Sequence, residues 1–225
     1  MSSEQDMIRM LLQRQAEVQD SKEQPKKSNT KSEGLPSWYH LNKYGEQVMT
    51  ELKGLVKDKI PTMLIGGTGM GKTVMLQAIA KELGREDVGF NCYTGMDIQP
   101  LIGIWRPQGD GTVTWQDGVL TQGIKNGAII RIEEYTRANP ELKSRLFGIL
   151  DSQNRSWNMI EAGIDNIDIH EDTTIVASAN PTGSGYVGTM REDRASMSRF
   201  GAVMEIYEPL ADEQKAVMST LNDKN

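Results

Sequence analysis

Gly66-Gly67-Thr68-Gly69-Met70-Gly71-Lys72-Thr73 is the stretch on which the reading of this chain turns. It fits G-x-x-x-x-G-K-[ST], a loop whose backbone amides wrap a phosphate group. Pro61-Thr62-Met63-Leu64-Ile65 ahead of it reads as a short buried strand. Residues 74–83 behind it carry apolar side chains at i, i+3 and i+4, the spacing of a helix. Glycine lets the backbone turn its N–H groups inward, and the helix N-terminus adds partial positive charge. The pattern therefore assigns phosphate binding to Gly66, Gly67, Thr68, Gly69, Met70, Gly71, Lys72 and Thr73. Lys72 reaches the β- and γ-phosphates, and the Thr73 hydroxyl ligates Mg²⁺. A glycine-rich turn with a chance lysine is the plain alternative. At average residue usage, the four fixed positions coincide in on the order of one chain in a hundred of this length.

Outward from the loop, strands and helices alternate. Candidate strands lie at 88–93, 128–132, 173–179 and 202–206, and candidate helices at 72–83, 119–125 and 140–151. A helical period at Leu41, Tyr44, Val48, Leu52 and Val56 comes before the loop. This order predicts an α/β fold: a parallel five-stranded sheet with helices on both faces. Two segments break the alternation and read as β-hairpins, one turning at Gly109-Asp110-Gly111 and one at Ala162-Gly163-Ile164-Asp165. Residues 1–36 differ in character. Met7, Ile8, Leu11 and Leu12 mark one face of a short amphipathic helix, which either docks a partner or frays, and a Lys-, Ser-, Gln- and Pro-rich linker follows. The expected division is a flexible extension over 1–36, a core over 37–210 and a residual helix within 211–225.

Composition limits the functions that fit. The chain has 225 residues, 37% hydrophobic and 25% charged, enough to bury one sizeable core. A net charge of -6 supplies no overall field for nucleic acid or anionic membrane. The single cysteine, Cys92, cannot form an intrachain disulfide and fits a reducing compartment and a small core role. The two histidines, His40 and His170, lie far apart with no ligand spacing, which argues against a side-chain metal centre. With no apolar run long enough to span a bilayer, the expectation is a cytoplasmic protein.

A phosphate loop needs a second carboxylate strand. Ala128-Ile129-Ile130-Arg131-Ile132 is apolar apart from Arg131 and ends in Glu133-Glu134. Ligands gather at the carboxyl ends of parallel strands. Glu133 is thus the candidate for the Mg²⁺-side contact, through a metal-bound water, and Glu134 the candidate to orient or deprotonate the attacking water. The competing reading is a charged pair that merely ends a strand. Asn180, at the end of the next strand, either holds that water or the γ-phosphate, or serves as a turn-forming residue. Arg199 is read either as a finger acting on a neighbouring subunit's nucleotide or as a surface arginine.

Together these segments resemble an AAA+ ATPase of the MoxR and cobalt-chelatase group, the branch that includes dynein- and midasin-like modules. The likeness runs from about Ile60 to Leu210. It rests on Asp117-Gly118-Val119-Leu120-Thr121, on Glu134-Tyr135 with Asn139-Pro140-Glu141, on Ala179-Asn180-Pro181 and Gly185-Tyr186-Val187-Gly188-Thr189, and on Ser198-Arg199-Phe200. The resemblance implies that Lys72 and Thr73 are Walker A, Glu133 and Glu134 Walker B, Asn180 sensor 1 and Arg199 the finger, with Arg194 a second candidate for the trans role. It implies ATP and Mg²⁺ as ligands and a homo-oligomeric ring, a hexamer by family habit. It also implies that the hairpins face a substrate, so that Trp105, Trp115 and Trp157 touch a partner, unless they pack on their own hairpins. Two features depart from the family pattern. Glu133 stands where aspartate is usual, and beyond the last strand only residues 211–221 remain for a helical lid, so a truncated lid is expected.

The function implied is an ATP-hydrolysing motor that remodels or activates an unidentified partner protein. A DNA-processing or packaging accessory ATPase is the first alternative, and the acidic balance argues against it. A nucleotide-binding scaffold that does not hydrolyse ATP is the second.

Overall fold

In the computed structural model, residues 34–37, 39–151, 155–181 and 197–211 are described. The expected helix through Met7, Ile8, Leu11 and Leu12, the stretch 185–189, Arg194 and the expected helix at 211–221 lie wholly or almost wholly outside them.

The fold starts with helix α1 (Lys43–Lys57). Asn42 caps it, its side chain accepting from Gly45 N at 2.7 Å, which satisfies one of the first-turn amides. Its apolar positions Val48, Met49, Leu52 and Val56 are buried on one face. Strand β1 (Thr62–Gly66) leads into the phosphate loop and helix α2 (Lys72–Glu82), followed by β2 (Asp87–Asn91). A single helical turn α3 (Gln99–Ile102) opens the first hairpin, β3 (Gly103–Pro107) and β4 (Val113–Asp117). Helix α4 (Val119–Asn126), strand β5 (Ile129–Glu133) and helix α5 (Pro140–Leu150) follow. The second hairpin is β6 (Trp157–Met159) and β7 (Ile164–Ile167), and β8 (Thr174–Ala179) and β9 (Ala202–Ile206) complete the described strands.

β2, β5, β8, β1 and β9 form the sheet in that spatial order, and every neighbouring pair is parallel. This is the predicted architecture. Side chains alternate across it, so each apolar strand feeds two cores. Met63, Ile130, Ile132 and Ile175 join Leu120, Ile124, Leu142 and Leu146 on one face. Leu64, Ile129 and Val176 join Val48, Leu52, Met75 and Ile79 on the other. Helices α4 and α5 thus cover one face, and α1 and α2 the other.

Several boundaries move. β2 begins at Asp87 and ends at Asn91 rather than running to Tyr93, so Cys92 sits just past the strand, buried, its N–H donating to Glu133 O at 2.8 Å. In the second hairpin the turn comes about two residues earlier than expected, as a 3-10 turn at Ile160–Ala162, so β7 starts at Ile164 and stops before Asp168. His170 accordingly lies beyond the strand, where its Nδ1 accepts from Asp172 N at 3.1 Å.

Candidate functional site

The phosphate loop spans from the end of β1 to the start of α2. Its two sharp bends fall at Gly69 and Gly71, with φ of 80° and 93°, a region that strains residues with a Cβ. Gly71 has a second reason to be glycine, because a Cβ there would collide with the Tyr39 hydroxyl. Thr68 and Gly69 form the exposed crest, and Gly66 and Gly67 are buried at its base. Inside the turn, Lys72 Nζ donates to the carbonyls of Gly66 and Gly67, both at 2.8 Å. Burial pushes the Lys72 ammonium below the usual lysine range, against the opposing pull of Glu134 and Glu133.

Glu133 and Glu134 lie at the carboxyl end of β5, and Asn180 directly follows β8. The Thr73 hydroxyl donates to Glu133 Oε1 at 3.0 Å, and Asn180 Nδ2 donates to Glu134 Oε1 at 2.9 Å. Lys72, Thr73, Glu133, Glu134 and Asn180, which the sequence placed on three separate strand ends, are therefore brought together. Glu134 has left-handed backbone angles, φ 54° and ψ 41°, unusual for a side chain of its size and costing about 1–2 kcal/mol. Its carboxylate is pinned from two sides, by Asn180 and by Arg137 Nε, 3.5 Å from Oε2. Oε2 is buried and makes no hydrogen bond.

Arg199 is not in that bonded set. It is exposed, with its guanidinium 5.0 Å from the centre of the Phe147 ring on α5, while Phe200 beside it is buried edge-on against Tyr135. A cavity of about 350 Å³ opens at the ends of β1, β8 and β9; its walls include Gly66, Thr136 and Asn180 but neither Lys72 nor Thr73.

Sequence reasoning missed several groups. Arg131, without an assigned partner from sequence, pairs with Asp87 and Glu133. Arg137 flanks Glu134, and its i,i+3 spacing was the available signal. The chain leaving β9 is stitched to the loop: Leu210 N donates to Met70 O at 3.1 Å, Asn42 N to Leu210 O at 3.1 Å and Asn42 Nδ2 to Pro209 O at 2.7 Å. Of the two readings of Trp157, the partner-facing one is excluded. The ring is buried, and its indole N–H donates to Thr121 Oγ1 at 3.2 Å.

The donor set fits a hydrated divalent ion held mainly by a nucleotide. Among the described residues no group of three or more His, Cys, Asp or Glu side chains could cage a metal by itself. One hydroxyl and one nearby carboxylate match the habit of Mg²⁺, which keeps waters and takes phosphate oxygens as partners.

The profile of the AAA domain, dynein-related subfamily, matches residues 61–200, well over half of the chain. The chain belongs to the dynein-related AAA family. Protein CbbQ of Hydrogenophilus thermoluteolus is 28% identical over 182 residues, covering 81% of this chain and 65% of CbbQ. Midasin of Giardia intestinalis is 26% identical over 189 residues, 84% of this chain but 4% of midasin. The chain thus spans just under two thirds of the one relative and a small part of the other. A candidate ATPase from Cytophaga hutchinsonii shares the fold with a TM-score of 0.59 at 16% identity, over 84% of this chain and 52% of that one. This AAA module is of the MoxR and CbbQ type, and no described helix is long and apolar enough to cross a membrane.

Proposed function

We propose that this AAA module binds ATP with Mg²⁺ and hydrolyses it. The observation that carries the proposal is the convergence of Thr73, Glu133, Glu134 and Asn180 at the foot of the loop. Lys72 neutralises the β- and γ-phosphates in place of its present carbonyl partners. Thr73 and Glu133 hold Mg²⁺, which when bound offsets the negative charge of the phosphates. Glu134 accepts a proton from the water that attacks the γ-phosphorus, and Asn180 fixes the glutamate and the water relative to each other. The outward position of Arg199 suits action on a neighbouring subunit's nucleotide, which supports a homo-oligomeric ring. The output in this reading is remodelling or activation of a partner protein in the cytoplasm.

The test is binding of a fluorescent ATP analogue alongside phosphate release. Lys72→Ala loses binding. Glu134→Gln keeps binding and lowers turnover by roughly 10²- to 10⁴-fold, the usual contribution of a positioned base. Wild type that binds Mg-ATP tightly yet releases no phosphate at any protein concentration supports the scaffold instead. Mixed Arg199→Ala and Glu134→Gln subunits recover activity at mixed interfaces if the arginine acts in trans.

A further inference from the structure

Arg131 is a charged side chain inside an otherwise apolar strand, and its side chain is only 11% exposed. Taking a guanidinium out of water is costly unless its donors are met by well-placed acceptors. Here they are. Nε donates to Asp87 Oδ1 at 3.2 Å and Nη2 to Asp87 Oδ2 at 3.0 Å, a bidentate pair across the β2–β5 ladder. Nη1 donates to Glu133 Oε1, the same oxygen that accepts from the Thr73 hydroxyl. Strand register explains the geometry. Asp87, Gly89 and Asn91 lie opposite Ile129, Arg131 and Glu133, and alternate residues share a face. That face carries Ile129 into the core formed with α1 and α2, the side on which Thr73 sits. Gly89 leaves the space: a Cβ there would collide with the Arg131 guanidinium.

We propose that Arg131, anchored by Asp87 and seated over Gly89, is a positioning residue that holds the Glu133 carboxylate ready for Mg²⁺ at the phosphate loop. The proposal rests on the nucleotide-binding role given above to Thr73 and Glu133. Glutamate has one more methylene and one more rotatable bond than aspartate. Left alone, it samples several placements; tied to Arg131, it is held where Oε1 accepts the Thr73 hydroxyl hydrogen bond. A Thr73 hydroxyl that donates to Glu133 keeps its lone pairs available for a bound Mg²⁺, and Oε2 would be left to accept from a metal-bound water. Asp87 balances the guanidinium charge, so the three side chains together keep one negative charge for the cation. Glu133 in place of aspartate and Arg131 within the strand thus form one device.

The test reads metal dependence apart from turnover. Binding of a fluorescent ATP analogue to the full chain is titrated with MgCl₂, and separately measured in EDTA. Arg131→Met raises the Mg²⁺ concentration at half-maximal binding roughly tenfold, the usual cost of losing a group that orients a metal-site residue. Affinity in EDTA stays within about twofold. Arg131→Lys recovers only part, because an ammonium cannot bridge both carboxylates as a planar fork does. Asp87→Asn, which leaves the arginine in place, shifts Mg²⁺ dependence in the same direction and carries the test if Arg131→Met does not fold. Adding Glu133→Asp to Arg131→Met restores part of the loss, because the shorter carboxylate needs less bracing. A half-maximal Mg²⁺ concentration that is unchanged or lower in folded Arg131→Met or Asp87→Asn overturns the proposal. Wild type that shows no Mg²⁺-dependent binding overturns the reading of the site itself, a different result.

Discussion

Two hairpins with the same sequence pattern end in different surroundings. In β3–β4, Trp105 pairs directly across the strands with Trp115, edge to face at 5.6 Å, and remains 52% exposed. In β6–β7, Trp157 lies opposite Ile167 and is 1% exposed, its indole bonded to Thr121 of α4. Local alternation is equivalent in both. What differs is whether a helix lies over the strand, and α5 packs on β6 while the outer face of β3–β4 is left open. A hairpin tryptophan therefore reports on function only after its cover is known. Here Trp157 belongs to the core and Trp105 to the surface, although Trp105 also ties the hairpins together by donating to Glu161 O at 2.9 Å.

This contrast can be broken by measurement, beginning with the largest effect. Trp157→Ala should destabilise the fold by about 3–5 kcal/mol, the usual cost of emptying an aromatic core position, and lower the midpoint of thermal unfolding by roughly 10 °C. A loss below about 1 kcal/mol would place Trp157 at the surface and erase the distinction. Thr121→Val leaves the buried indole N–H without its acceptor and should cost about 1–3 kcal/mol in urea unfolding, while the volume is unchanged.

Cys92 tests the same core by pH. Burial pushes its thiol from an ordinary 9.0 up to about 12. Between those values the unfolded chain loses the proton while the folded chain keeps it, so stability is whole below pH 9 and falls as pH rises. The loss should reach about 1.4 kcal/mol by pH 10, and comparison with Cys92→Ala isolates this part of the alkaline slope. The smallest effect belongs to Trp105→Ala, on the order of 1 kcal/mol, since half of the ring already meets water and only one edge-to-face pair and one exposed hydrogen bond to Glu161 are lost. If Trp105→Ala matched Trp157→Ala, the first hairpin would be structural too.

The legible parts of the molecule are those whose chemistry is contiguous. Gly66 to Thr73 carries its own geometry, so loop, helix start and lysine could be read directly. Glu133 and Glu134 were legible because a strand tip has one place to go in a parallel sheet. Arg131 was not, because its partner Asp87 lies 44 residues away and only the β2–β5 register aligns them. Gly89 was the visible hint, a glycine inside a strand where another group needs room. The second hairpin slipped by two residues because Ile160–Ala162 forms a 3-10 turn that apolar alternation does not announce. Arg199 reads from sequence as either a surface arginine or a finger, and its exposure and stacking on Phe147 fit both.

The bond from Leu210 N to Met70 O makes the exit of the last strand a lever resting on the phosphate loop. If Met70 swings by even a few tenths of an ångström, the backbone at Pro209–Ala211 must travel with it or let go. Asn42, which grips the same segment from the head of α1, sets the pivot. Leu210 and the adjoining Ala211 are thereby geared to the loop, with no need for the signal to cross the sheet.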